Sequence, residues 1–284
     1  MIEPIFSQDI KKEIHKRLDA IESLLPELKR ILLELQEENL EVQYKSSDVD
    51  IVTKADFLSE QTILHFIQTK FPQDEILSEE SGKKEALIKD LPKLNMEESN
   101  FTWCIDPLDG TVNYAHKIPL FAVSFGLLYK DFPVGGLVFL PVGNDIYRAV
   151  YKEGSFKNHK PISISKTKNL KESVLVTGFP YNKSEILDVL SNTIKQVLKH
   201  TRGLRRTGSA ALDLCWVAEG RFDGHYEWNL SAWDTCAGIV IVKEAGGLVS
   251  NQNGEDYTLN DPLLVASNPF IHQDLLNLIL DTKD

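Results

Sequence analysis

Cysteine is scarce, and so is positive charge. The 284 residues hold three cysteines, Cys104, Cys215 and Cys236, an odd number with no C-x-x-C spacing. That suggests neither a disulfide framework nor a zinc knuckle, and each reads as a small apolar core side chain. Thirty-one Lys and Arg stand against 42 Asp and Glu, a formal charge of −11, which argues against broad binding to nucleic acid or to an anionic membrane. No apolar run reaches membrane-spanning length, and Met1 to Ser7 lacks the shape of a signal peptide because charge follows at once. The expected setting is cytoplasmic, with no membrane partner. Internal repeats and low-complexity segments are also missing. What remains, with 42% apolar residues, is a globular chain long enough for one large α/β unit or two packed domains.

One stretch stands out, from Trp103 to Asn113. An apolar, strand-like run from Phe101 to Ile105 feeds Asp106 and Asp109, three residues apart, and then Gly110-Thr111, a pair that could open a helix. Pro107 keeps the chain from continuing as regular strand or helix, so that Asp106, the Leu108 carbonyl and Asp109 can converge. Hard divalent cations want such oxygens, and Mg²⁺ in particular leaves room for phosphate and water. Behind them, the Gly110 and Thr111 amides would face a phosphate oxygen. An acidic chain tolerates an anionic substrate where a cation reverses the local sign. An ordinary Asp-Pro turn followed by Asp-Gly turn chemistry explains D-P-x-D-G equally well. Other residues must decide.

In chain order, residues 8–40 place Ile10, Ile14, Leu18, Ile21, Leu25, Leu28, Leu32 and Leu35 at helical spacing, and Pro26 divides this stretch into two helices or kinks one. A polar, turn-prone segment containing Lys45 leads through a short strand to a helix from about Phe57 to Lys70, with Asp56 at the N-cap position. Lys45 is by default a solvated lysine. A strand Glu75-Ile76-Leu77 ends in Ser78-Glu79-Glu80-Ser81-Gly82, and residues 82–100 read as loop. Closely spaced runs from Leu120 to Tyr151 mean an antiparallel meander. A basic, polar segment, Lys157 to Lys171, sets the domain junction near Ser165. It divides an α+β domain, 1–165, from an α/β domain, 166–284. Beyond it strands and helices alternate, from Val174 to Leu280, which implies a mostly parallel or mixed sheet flanked by helices.

Four segments carry a resemblance: Asp48 to Asp56 (DVDIVTKAD), Leu77 to Ser81 (LSEES), Asp106 to Thr111 (DPLDGT) and Trp233 to Gly238 (WDTCAG). Together and in that order they resemble the signatures of the inositol monophosphatase family. Arg205 to Leu214 and Thr177 to Pro180 resemble its bacterial branch. The likeness runs from about Asp9 to Leu280 and departs mainly in the long Glu80 to Phe101 segment. It implies a layered α-β-α-β-α sandwich of the sugar phosphatase type, with an antiparallel sheet in the N-terminal half and a mixed one in the C-terminal half.

The implied metal ligands are Glu79, Asp106, the Leu108 carbonyl, Asp109, Asp234 and, mainly through water, Asp56, holding two or three Mg²⁺ ions. Five carboxylates gathered without cations would repel one another severely. Glu79, Thr111 and Asp56 are the implied catalytic residues: Thr111 holds the attacking, metal-activated water and Asp56 accepts the proton of the Thr111 hydroxyl. Gly110, Thr111, Ser209, Ala210, Glu227 and Asp234 are the implied substrate contacts, with Lys45 as a loop contact. Glu227 would accept hydrogen bonds from ring hydroxyls. Arg205 and Arg206 match no catalytic position of the family and are assigned to a subunit interface or a strand end. The resemblance implies a lithium-sensitive, homodimeric phosphomonoesterase acting on inositol 1-phosphate. Fructose-1,6-bisphosphatase and 3′(2′),5′-bisphosphate nucleotidase are alternatives on the same metal site, and a regulatory binding protein is a more distant one.

Overall fold

Ser7 opens the first helix, α1 (Gln8–Glu37), its Oγ accepting from the Ile10 amide at 3.3 Å. The computed structural model describes residues 6–38, 42–44, 51–84, 100–180, 183–259 and 261–280, and Lys45 lies outside them. Pro26 does not divide α1, which runs for 30 residues. The proline is exposed, so its ring and the carbonyl it deprives lie on the solvent side, while Leu24, Leu25 and Leu28 hold the helix to the core on the other.

Helix α2 (Lys54–Lys70) begins three residues before the expected start. Thr53 is its cap, with Oγ1 accepting from the Ala55 amide at 3.2 Å, and Asp56 sits at the third helical position. There its carboxylate accepts from the Thr53 amide at 2.8 Å, a reciprocal capping box. Asp56 is therefore not the N-cap. That leaves one of its oxygens for another element.

A short antiparallel pair, β1 (Val42–Tyr44) and β2 (Ile51–Thr53), precedes α2. The large sheet follows, from β3 (Glu75–Ser78), β4 (Gly82–Lys84), β5 (Phe101–Asp109), β6 (Ala122–Tyr129), β7 (Phe132–Leu140), β8 (Asp145–Val150), β9 (Ser155–Lys157) and β10 (Lys160–Pro161), with the single-turn helix α3 (Thr111–Ala115) after β5. Its order is β10-β9-β8-β7-β6-β5-β3-β4. The meander holds from β5 to β10, but β3 and β5 run parallel, so the sheet is not wholly antiparallel as expected. This one exception matters to the site, because parallel neighbours end on the same side. Ser78 pairs with Ile105, which sets Glu79 beside Asp106. Strand β5 also runs through Pro107, with its pairing to β6 shifted between Asp106 and Asp109.

The second half supplies β11 (Val174–Thr177), α4 (Leu187–His200), β12 (Gly203–Arg205), α5 (Ala210–Ala218), β13 (Gly224–Trp228), α6 (Ala232–Glu244), β14 (Leu248–Ser250), β15 (Leu263–Ser267) and α7 (His272–Leu280). The order is β12-β11-β13-β15-β14, with β11 parallel to β12 and β13 and β15 antiparallel to its neighbours: a mixed sheet.

Three apolar clusters define the layers. The stripe of α1 and Ile63, Leu64 and Ile67 of α2 pack on Phe125, Leu127 and Leu137 of the large sheet. Val138, Tyr147 and Ala149 on its opposite face meet α5 and α6, which also cover Val176, Leu264 and Ala266 of the small sheet. Leu175, Tyr226 and Val265 face outward onto α4 and α7 through Val197, Ile271 and Leu275. The result is helix, sheet, helix, sheet, helix. Deep in the first layer, Arg17 donates to both oxygens of Asp74 at 2.8 Å, and Trp103 Nε1 donates to the same carboxylate at 2.9 Å. That network ties α1 to the start of β5. Cys104, Cys215 and Cys236 are free and buried.

Candidate active site

Strand ends from both sheets meet at a cleft of about 480 Å³. The large sheet contributes Glu79 after β3 and Asp106, Leu108, Asp109 and Thr111 around the end of β5. The other wall carries Ser209, Ala210 and Asp213 of the α5 region, Glu227 of β13 and Asp234 of α6. A crevice outside the carboxyl ends of strands is where α/β sheets hold ligands.

Local geometry explains how each carboxylate is held. Asp106 Oδ1 accepts from the Leu108 amide at 2.9 Å, a turn that β5 can make because its pairing slips there. Asp109 Oδ2 accepts from Ser209 Oγ at 2.6 Å and from the Ala211 amide at 2.8 Å, so the start of α5 grips a residue 100 positions earlier. Ser209 also caps α5, its Oγ accepting from the Leu212 amide at 3.3 Å. Asp234 Oδ2 accepts from the Ser231 amide at 2.7 Å at the start of α6. Gly110 reaches its left-handed φ of 93° because it has no Cβ, and one there would press on the Leu120 and Gly208 carbonyls.

Asp56 does not line the cleft; it lies fully buried behind Thr111. Its Oδ2 takes the Thr53 amide and hydroxyl, and its Oδ1 accepts from Thr111 Oγ1 at 2.9 Å. The Leu108 carbonyl, at 3.1 Å, is a second acceptor for that hydroxyl. A hydroxyl that gives its single proton to Asp56 keeps lone pairs to accept a proton from a molecule in the cleft.

The electrostatics are those of crowded acids. Burial raises the pKa of Asp106 well above the carboxylate range, and Glu79, Asp109 and Asp234 add to it. Asp234 is raised well above its usual value by burial and by Asp109 and Glu79. Asp109 is pushed up to about 6 by burial, against the Ser209 and Ala211 hydrogen bonds that favour its anion. Among the described residues, no three His, Cys, Asp or Glu side chains are already closed around one point as a metal cage. The carboxylates line one shared cleft and raise one another's pKa by like-charge repulsion, so it is the fold that holds them near one another. A donor set of carboxylates and one carbonyl, with strain that positive charge would relieve, fits a hard divalent cation.

Two residues with no assigned site role belong here. Asp213 is buried, accepts from Thr207 Oγ1 at 2.6 Å, and is raised well above its usual pKa by burial, with Asp109 adding to it. Arg206 directly follows β12, the expected strand-end place, and it also lines the cleft, where it draws both Asp213 and Glu227 towards their ionised forms. The opposite charges at the two ends of R-R-T-G-S-A-A-L-D were the available signal. Arg205 stays at the end of β12. Glu227 is raised well above its usual value by burial, with Asp213 and Asp109 adding to it.

Residues 15–283 match the model of the inositol monophosphatase family. An inositol-1-monophosphatase from Synechocystis sp. is 41% identical over 85% of this chain and 81% of its own. A Nus factor SuhB from Pasteurella multocida is 37% identical over 85% and 86%, and a fructose-1,6-bisphosphatase/inositol-1-monophosphatase from Aquifex aeolicus is 36% identical over 88% and 89%. Among solved structures, the extragenic suppressor protein suhB of Bartonella henselae superposes with a TM-score of 0.85 at 31% identity, covering 94% of this chain and 99% of that one. With this fold and this cleft behind it, the chain belongs to the inositol monophosphatase family, a family of metal-dependent phosphatases.

Proposed function

We propose that this protein hydrolyses inositol 1-phosphate and related polyol phosphates to the free alcohol and phosphate, using Mg²⁺. The observation that carries the reading is the pair of walls facing one cleft: crowded acids with the Thr111–Asp56 hydrogen bond on one side, Glu227 and Asp213 on the other. In this reading Glu79, Asp106, the Leu108 carbonyl, Asp109 and Asp234 hold the cations, with Asp56 reached mainly through water, in a set of two or three ions. When bound, they supply positive charge that offsets the carboxylates and phosphate and acidify water. The chain's own residues do the rest. Thr111 Oγ1 accepts from the attacking water while donating to Asp56, which fixes the direction of attack. Gly110 and Thr111 amides face phosphate oxygens. Glu227 accepts from adjacent ring hydroxyls, with the Ser209 and Ala210 backbone beside the ring and Lys45, outside the described residues, as a loop contact. The Ser209 side chain itself is taken by Asp109.

A homodimer in the cytoplasm belongs to the same proposal and is tested by sedimentation and by cell fractionation. Among the described residues no helix is long and apolar enough to cross a membrane. The Aquifex relative favours fructose 1,6-bisphosphate as a second substrate, and the Pasteurella relative favours a surface-acting role as a second reading. Phosphate release with Mg²⁺ from inositol 1-phosphate, fructose 1,6-bisphosphate and adenosine 3′,5′-bisphosphate decides among them. The first should be fastest, millimolar lithium should inhibit, and Asp109→Asn should abolish release. A fully active Asp109→Asn protein would remove the metal assignment.

A further inference from the structure

Strand β13 brings a second titratable side chain against Glu227. Tyr226 goes to the outer apolar cluster, so His225 and Glu227 share the inner face of the strand. His225 is completely buried; the Val176 backbone lies near enough to favour the charged ring slightly, but neither ring nitrogen makes a hydrogen bond of good geometry. A buried polar group in that condition calls for a reason, since leaving it unpaired forfeits the hydrogen bonds it made to water in the unfolded chain. Burial also holds the imidazole neutral, its pKa pushed down to about 3, so it carries one N–H and one bare nitrogen. Its Nε2 lies 3.6 Å from Glu227 Oε2. That separation is too long for a hydrogen bond and too short to admit a water between them, and a small rotation of the glutamate closes it. From β11, Gly178 backs the same group: a Cβ there would fall on the Glu227 carboxylate. The carboxylate thus sits in a slot between Gly178 and His225 that opens to the cleft.

We propose that His225 is the positioning residue of Glu227, its Nε2–H closing onto Oε2 so that Oε1 is aimed at the hydroxyls of a polyol phosphate. The role rests on the reading of Glu227 as the ring-facing carboxylate. No proton changes owner; the imidazole donates and the carboxylate accepts. A site aligned in this way favours esters with adjacent hydroxyls over simple aryl phosphates.

The test measures kcat and KM for inositol 1-phosphate and p-nitrophenyl phosphate with Mg²⁺ in the wild type, His225→Phe, His225→Gln and Glu227→Gln. His225→Phe should lower the ratio of kcat/KM for the two substrates about 10-fold, the worth of one net hydrogen bond, and mostly through KM. His225→Gln, which keeps an N–H near the same place, should recover the ratio to within about threefold of the wild type. If His225→Phe leaves the ratio unchanged while Glu227→Gln lowers it, His225 only fills space and the proposal is wrong. If Glu227→Gln also leaves it unchanged, the ring-facing reading of Glu227 fails first and takes the role of His225 with it. Thermal unfolding of each variant reports folding, and His225→Leu replaces the Phe variant if that one does not fold.

Discussion

Thr111 has one proton to give, and Asp56 takes it at 2.9 Å. If Thr111 holds the attacking water as proposed, removing the hydroxyl frees that water while the backbone still faces phosphate, so Thr111→Ala should lower kcat about 100-fold with KM changed less than threefold, measured by steady-state phosphate release. Glu227 invites a different test. Its raised pKa means that the acid form persists to higher pH than usual and that the anion accumulates as pH rises. A protonated carboxyl and an amide bind a diol similarly, whereas an anion adds a charge-assisted bond of roughly 1.5–3 kcal/mol. Glu227→Gln should therefore cut kcat/KM for inositol 1-phosphate by about 10- to 150-fold on the alkaline side and by less at low pH. Dividing by the p-nitrophenyl phosphate rate at each pH cancels the response of the shared machinery. A gap that narrows with rising pH would contradict the assignment.

Helix α6 is the element on which the site depends most, since it carries Asp234 and fills the layer between the sheets. It lies close on the large sheet because Gly126 and Gly136 have no side chains: a Cβ on Gly136 would meet the Ala237 backbone, with Cα and carbonyl carbon at 3.0 Å. Backbone cannot step aside as a flexible side chain can. Gly136→Ala should cost about 1–3 kcal/mol, seen as a lower urea midpoint with an unchanged slope. Activity per folded molecule should fall with it, because a displaced α6 carries Asp234 away from Asp106. Wild-type urea stability in the variant would mean that α6 has room to shift.

Across the whole molecule, buried acids set the response to pH. Asp109 titrates at about 6 in the folded chain, well above its usual value, and Asp106 and Asp234 are raised as well. A folded chain that holds protons after the unfolded chain has released them loses stability as pH rises, here across about pH 4 to 6. Glu13, Glu153 and Glu219 have lowered values, so their contribution is lost only below the usual carboxylate range and does not mask the window. In EDTA, Tm should fall through that window. Saturating Mg²⁺ should raise Tm by about 5–10 °C at pH 8 and by much less at pH 5, where protons compete for the same oxygens. Differential scanning calorimetry at the two pH values checks this, and an equal Mg²⁺ effect at both would argue against cation binding by these acids. The division near Ser165 remains a proposal: the two sheets lie on either side of that residue, yet α5 and α6 bury apolar faces against both.

Sequence periodicity was enough to place the α1 stripe, the meander and the alternating second half, because each is a local pattern of apolar spacing. The D-P-L-D-G-T run offered oxygens for a cation, but an ordinary turn explained it equally well until the fold set Asp106 and Asp109 in one cleft with Glu79 and Asp234. Pro26 could not be judged locally, since whether it breaks a helix depends on which side faces solvent. Local pattern alone read Asp56 as a cap; only the resemblance joined it to Thr111, 55 residues away, and the fold shows it bonded to both Thr53 and Thr111. Nothing local joined Asp109 to Ser209, turned Arg206 towards Glu227, or made β3 parallel to β5 so that Glu79 stands beside Asp106. Those are decided by register and layer packing, which are sums over distant contacts. His225 shows the limit most plainly: a lone histidine in a strand has no meaning in sequence until burial strips its partners and leaves Glu227 beside it.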